Sequence, residues 1–144
     1  FTKVFEIEGK EFYDDYAHHP TEIKAVINSA REVHQKRKII CVFQPHRYSR
    51  VRLLKQEFAE CFKASDLVLL CPIYAAGEKI DSKYDQHNFS KLITKKSRVQ
   101  VVNVWNKDEI KKFFKKNLFN KEMVICMGAG SISNWIREIS KEMQ

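Results

Sequence analysis

Short apolar runs alternate with amphipathic stretches along the chain, and their two periods separate cleanly. The runs Val4–Ile7, Phe12–Asp15, Lys38–Phe43, Leu67–Cys71, Val99–Val104 and Met123–Met127 have the length of strands. Between them the spacing is helical. Pro20–His34 places Ile23, Val26, Ile27 and Ala30 on one face, and Ser49–Phe62 is read with Leu53, Leu54, Phe58 and Phe62 inward. Further helices are predicted over Asp85–Lys95, Lys107–Lys116 and Ser131–Lys141, the second with Ile110, Phe113 and Phe114 inward and lysines outward.

The continuous, β-branched runs 38–43 and 99–104 suit strands covered on both faces, as in a parallel sheet with helical crossovers. The class is therefore α/β, with a mostly parallel sheet of about six strands. The link from Val4–Ile7 to Phe12 is too short for a crossover, which makes the first strand an antiparallel edge. Ligands of open α/β sheets gather beyond the carboxyl ends of the strands, so the loops there are where chemistry is expected.

Composition narrows the picture. A length of 144 residues is that of one domain, 1–144, and 44% hydrophobic with 31% charged residues excludes a disordered chain. Lys and Arg number 26 against 18 Asp and Glu, a net charge of +8 that favours anionic partners without identifying them. No apolar run approaches the roughly 18 residues that cross a bilayer, and no signal peptide is legible, so a cytoplasmic protein is expected. Cys41, Cys61, Cys71 and Cys126 match neither a CxxC pair nor a disulfide scaffold and read as buried free thiols. A chain opening at Phe1, without methionine and already in a strand pattern, reads as a piece of a longer protein.

Four loops follow strands. The first, Asp14-Asp-Tyr-Ala-His-His-Pro-Thr21, gathers two carboxylates, a phenol and two imidazoles ahead of a helix opened by Pro20. Asp15 or His19 capping that helix would explain part of it, and a helix N-terminus with His18 and His19 beside it also suits a phosphate or carboxylate. The second, Phe43-Gln-Pro-His-Arg-Tyr-Ser-Arg50, spaces Arg47 and Arg50 so that both can converge on one anion beside His46. A nucleic-acid contact and a merely solvated helix start are its rival readings. The third, Cys71-Pro-Ile-Tyr-Ala-Ala-Gly-Glu78, has small residues and one acid; the fourth, Gly128-Ala-Gly-Ser131, is a structural turn or a phosphate site. Absences count too: no GxxxxGK[ST], HExxH or GxSxG occurs, no metal-ligating cluster is seen, and Cys61 and Cys126 lack the surroundings of a nucleophile. The lysines at 111, 112, 115 and 116 read as the wet face of a helix.

Segments 14–22, 43–50, 74–78 and 128–130, in this order and spacing, resemble the C-terminal domain of the Mur ligases, in particular those that join L-alanine to UDP-N-acetylmuramate. The resemblance covers nearly the whole chain. It implies a Rossmann-like, three-layer domain of a bacterial, cytoplasmic enzyme of peptidoglycan synthesis. The UDP-binding domain and the central P-loop domain would lie outside this chain, and the isolated domain would be inactive. ATP would phosphorylate the lactyl carboxylate, and the amine of L-alanine would attack the acyl phosphate. Magnesium would be held mainly by the central domain.

The resemblance also implies roles. His46, Arg47 and Arg50 would hold the incoming L-alanine, with the arginines near its carboxylate; Tyr16 and His18 would border the alanine and the reacting phosphate. Asp14 or Asp15 would contact the ATP ribose, with His19 on the ATP side. Ala17 stands where the family often has glycine, and Ser131 where asparagine is frequent, and neither removes a charged contact. Two other readings remain: the same domain of a ligase that recycles muropeptides by adding a tripeptide, and a non-catalytic basic module that binds nucleotide or nucleic acid. The ligase reading expects neither nucleic acid nor membrane as a partner.

Overall fold

A computed structural model describes all of residues 1–144. In chain order the elements are β1 (Thr2–Ile7), β2 (Lys10–Asp15), α1 (Pro20–Val33), β3 (Ile39–Phe43), α2 (Tyr48–Leu53), α3 (Lys55–Glu60), β4 (Leu67–Leu70), α4 (Gln86–Ser97), β5 (Gln100–Asn103), α5 (Lys107–Asn117), β6 (Met123–Met127) and α6 (Ile132–Met143). They form one sheet in the order β1-β2-β6-β3-β4-β5. Only β1 runs antiparallel to its neighbour, and the other four pairings are parallel. The α/β reading and its antiparallel edge strand are borne out.

The apolar runs are continuous because β3, β4 and β6 are buried along their whole length, with a helical layer on each side. Steps from β2 to β3, β4 and β5 proceed in one direction across the sheet, and α1, α3 and α4 share one face with Cys41, Phe43, Leu70 and Ile125. The return from β5 to β6 reverses direction. Its helix α5 accordingly lies with α6 on the opposite face, where Ile110, Phe114, Ile132 and Ile136 pack on Ile40, Val42 and Val124. The four cysteines are buried and free, and burial pushes the Cys41 thiol up to about 12.

One inward assignment fails. Leu53 is 80% exposed, and the helix read as Ser49–Phe62 is interrupted at Leu54 (φ −115°, ψ 26°) and ends at Glu60. Val51, Leu54, Phe58 and Phe62 form the buried stripe, and Leu53 lies on the opposite side of that helical wheel. Hydrogen bonds from Leu54 N–H to Arg50 O (2.9 Å) and Phe58 N–H to Leu54 O (2.9 Å) carry the chain through the break.

The amino edge of the sheet is clamped by Arg37, just ahead of β3. Its guanidinium donates to the carboxylate of Glu11 on β2, to the carbonyl of Gly9 (2.9 Å), and to the carbonyls of Lys121 and Glu122 before β6. It thus fastens three strands that are distant in sequence. The Arg37 hydrogen bond holds the Glu11 carboxyl down at about 2. A carboxyl lowered on folding contributes stability that is complete above its ordinary value of 4.5 and disappears as pH falls towards 2. Arg37→Met is expected to destabilise the chain by roughly 2–3 kcal/mol at pH 7 and by much less at pH 2–3. Urea unfolding at the two pH values checks this, and equal midpoints for variant and parent at pH 7 contradict it.

Candidate functional site

Backbone hydrogen bonds extend the sheet past the carboxyl ends of its strands and so fix the loops. Gln44 N–H donates to Met127 O (3.0 Å), Cys71 N–H to Phe43 O (2.9 Å), Tyr74 N–H to Pro45 O (2.8 Å) and Arg47 N–H to Tyr74 O (2.8 Å). His46 and Tyr74 consequently pair as an isolated parallel bridge. The turn after β6 closes against this platform. A Cβ on Gly128 would lie 2.9 Å from Gln44 O, and one on Gly130 would lie 2.4 Å from the Tyr74 ring. The buried Gln44 amide then donates to Ser131 Oγ (2.8 Å) and accepts from Ile132 N–H (3.0 Å). Gly128–Ser131 forms a tight turn held by these contacts.

On this platform four rings form a row. Tyr16 and His18 meet edge to face at 5.4 Å, His18 and His46 edge to face at 5.7 Å, and His46 stacks on Tyr74 at 5.7 Å and 18°. Tyr16, at the open end, is 71% exposed. Arg50 Nη1 lies 3.3 Å from His46 Nδ1. Arg47 is exposed beside it, and neither Arg47 nor Arg50 forms an ion pair, whereas Arg31, Arg37, Arg52 and Arg137 each hold a carboxylate. Burial, then the cationic Arg50, keeps the His46 imidazole below its ordinary 6.5 and favours the neutral ring. The cluster is a cationic, water-reachable surface in which no carboxylate forms an ion pair with Arg47 or Arg50, the nearby Glu78 being engaged by Ser49.

The remaining predicted residues serve the loops. His19 is the N-cap of α1, its Nδ1 accepting from Thr21 N–H (3.3 Å), while Glu22 Oε1 accepts from His18 N–H (3.3 Å) and His19 N–H (3.1 Å). The anion expected at this helix start is thus the chain's own Glu22. Asp15 Oδ1 accepts from Ala17 N–H (2.8 Å) and shapes the turn that carries Tyr16 and His18. Asp14 Oδ2 faces α6, accepting from Ser133 Oγ (2.7 Å) and Arg137 Nη1 (2.6 Å). Tyr16, His18, His46, Arg47 and Arg50 are brought together, and Asp14, Asp15 and His19 border them as loop-shaping groups.

Sequence reasoning assigned no part to Gln44, Tyr74 or Glu78. Glu78 accepts from both the N–H (3.2 Å) and the hydroxyl of Ser49, and so caps the helix that carries Arg50. These interactions join residues 29 to 88 positions apart, and no local spacing announces them. The only available signals were the acid closing the third loop and the glutamine ahead of Pro45.

A protein-family model described as "Mur ligase, glutamate ligase domain" matches residues 1–130. The chain belongs to the Mur ligase family. UDP-N-acetylmuramate–L-alanine ligase of Pelagibacter ubique is 48% identical over 139 residues, 96% of this chain, and that of Rickettsia felis is 39% identical over 142 residues. This Mur ligase domain spans about a third of the length of these relatives, 30% of each. Among solved structures it is similar to the UDP-N-acetylmuramate-alanine ligase of Thermotoga maritima, with a TM-score of 0.72 and 24% identity over all of this chain and 29% of that one. It is also similar to a murein peptide ligase from Psychrobacter arcticus, with a TM-score of 0.76 and 14% identity over 97% of this chain and 28% of that one. At those identities the two structures show a shared fold alone.

One feature of the Mur ligase domain is costly. Arg47 holds φ +73° and ψ 132°, a conformation that L side chains rarely adopt and that costs on the order of 1–3 kcal/mol. Arg47→Gly is therefore expected to unfold at a higher urea concentration than Arg47→Ala, by about 1 kcal/mol in stability. Coincident unfolding curves for the two variants would contradict backbone strain at this position.

Proposed function

We propose that residues 1–144 are the C-terminal, amino-acid-holding domain of an ATP-dependent ligase that joins L-alanine to UDP-N-acetylmuramate through an acyl phosphate. The observation that carries this reading is the pair of unpaired guanidinium groups, Arg47 and Arg50, beside a neutral His46 at the carboxyl edge of the sheet. A planar guanidinium matches a carboxylate fork, so the two arginines hold the carboxylate end of an amino acid and leave its amine free. His46 adds a neutral donor. Tyr16 and His18 lie on the far side of His46, where the amine and the reacting carbonyl would meet.

The fit to ATP rests on β2. Asp14 Oδ2 is engaged by Ser133 and Arg137, and its Oδ1 is left to accept from a ribose hydroxyl, which favours Asp14 over the turn-forming Asp15 for that contact. His19, with Nδ1 engaged by Thr21 N–H, has Nε2 left for a contact on the ATP side. No group of three or more His, Cys, Asp or Glu side chains is placed to hold a metal, so the magnesium that would neutralise phosphate charge calls for ligands from other parts of the enzyme. Peptidoglycan synthesis in the bacterial cytoplasm is the corresponding setting, and no helix is long and apolar enough to cross a membrane.

The relatives named for alanine favour this reading over the tripeptide ligase, whose likeness here is one of fold. A hydrogen bond to a charged group contributes about 1.5–3 kcal/mol, or roughly tenfold to a hundredfold in affinity. Arg47→Ala and Arg50→Ala in the full-length enzyme are each expected to raise the KM for alanine tenfold or more, with the KM for ATP changed less than threefold. Steady-state kinetics with each substrate varied checks this. An unchanged alanine KM in both variants overturns the assignment.

A further inference from the structure

This inference rests on the ligase reading. The neighbours of His18 and His46 set their two rings in opposite tautomers. His18 Nδ1 lies 2.9 Å from the carbonyl oxygen of Tyr16. A carbonyl only accepts, so Nδ1 carries the proton and the neutral ring has its lone pair at Nε2. His46 Nδ1 lies 3.3 Å from Nη1 of Arg50. A guanidinium only donates, so here Nδ1 carries the lone pair and Nε2 the proton. The rings stand 5.7 Å apart, one a base at Nε2 and the other a donor at Nε2.

Glu22 completes the arrangement. Its Oε1 lies 3.7 Å from His18 Nδ1, on the side away from the free lone pair. Hydrogen bonds from the amides of His18 and His19 hold the Glu22 carboxyl below its ordinary range, so it is ionised at neutral pH. The Tyr16 carbonyl fixes the ring, and the carboxylate 3.7 Å from Nδ1 balances the charge of the imidazolium formed when Nε2 takes a proton, the electrostatic part of what an aspartate does for the histidine of a serine-protease triad. The His18 side chain is 22% exposed, shielded by its neighbours and still reachable.

An amino acid arrives at neutral pH as an ammonium ion, which has no lone pair with which to attack a carbonyl. We propose that His18 is the general base of the ligation, its Nε2 taking one proton from the ammonium of the bound amino acid while His46 Nε2–H, Arg47 and Arg50 hold the carboxylate. The amine lone pair then forms the C–N bond at the acyl-phosphate carbonyl, and the C–O bond to phosphate breaks. The second proton lost by nitrogen leaves with the phosphate as hydrogen phosphate, and the proton on His18 passes to water. His18 thereby becomes a catalytic residue. Tyr16, through its carbonyl, and Glu22 are positioning residues.

His18→Asn in the full-length enzyme separates this role from a structural one. Asparagine offers an amide N–H to the Tyr16 carbonyl where Nδ1 was and has nothing at the place of Nε2. The expected result is a loss of a hundredfold or more in kcat for amide formation, with the alanine KM within threefold. The acidic limb of kcat/KM for alanine should also move to higher pH, towards the ionisation of free alanine, because the amine must then lose its proton unaided. The charged groups facing His18, namely Glu22, His46 and, beyond it, Arg47, Arg50 and Glu78, are unchanged in the variant and cannot supply that difference. Hydroxylamine is already unprotonated at neutral pH and traps acyl phosphates without a base, so the ratio of hydroxamate to alanyl amide should rise at least tenfold. Retention of kcat within threefold in His18→Asn, or an equal loss of hydroxamate and amide, overturns the assignment of the base. A parent enzyme that forms no amide from alanine overturns the ligase reading instead.

Discussion

Every helix leaves backbone N–H groups without partners at its start, and in this fold those starts crowd the edge of the sheet where ligands would sit. The chain fills them itself. His19 and Glu22 cap α1, Glu78 caps α2 through Ser49, Asp85 caps α4, Asn106 caps α5, and the buried amide of Gln44 reaches the start of α6. A helix terminus that is satisfied internally is a weak lure for a free anion. Recognition of a carboxylate would therefore fall to side chains that carry charge beyond what the fold consumes. At this edge those are Arg47 and Arg50.

Both arginines owe their position to long-range bonds. β6 enters the sheet between β2 and β3, so the loops after these three strands lie side by side although they are far apart in sequence. The tight approach of Gly128 to Gln44 and of Gly130 to Tyr74 locks the loop after β6 onto the loops after β3 and β4. His46 then has Tyr74 on one face, and Arg47 is held at a positive φ by the bond from its N–H to Tyr74. The opposite edge uses its arginines differently. There Arg37 and Arg31 spend their charge on carboxylates and carbonyls and close the ends of the strands. One edge is built for stability and the other keeps unspent charge.

The hydrophobic pattern made most of this fold legible. β3, β4 and β6 are apolar at every position because both faces are covered, and the short link after β1 permitted only an antiparallel neighbour. Spatial strand order was not legible, since nothing local shows that β6 slots between β2 and β3. Leu53 was misplaced because the adjacent Leu53 and Leu54 point about 100° apart on a helix, and Val51, three before Leu54, supplies the inward contact instead. The site was legible where one loop holds several reactive groups, as with Tyr16 and His18, or His46, Arg47 and Arg50. It was illegible where a single residue reaches across from another strand, as Gln44 and Glu78 do.

Electrostatics links the two histidines to the arginines between which a substrate would lie. With His46 neutral, the cluster brings two permanent charges to one carboxylate, where a charged His46 would add a third beside Arg50 and raise the repulsion among the cations. The remaining excess of positive charge acts on the substrate's other end. Cations near an ammonium destabilise its charged form, so the same groups that would hold the carboxylate would make the amine easier to deprotonate. The effect has a direction: it weakens as the amine moves away from Arg47 and Arg50 towards His18, whose Nδ1–H is given to the Tyr16 carbonyl with the Glu22 carboxylate 3.7 Å away. Proton transfer from the ammonium to His18 would thus carry positive charge from the cationic end of the cluster towards the carboxylate of Glu22.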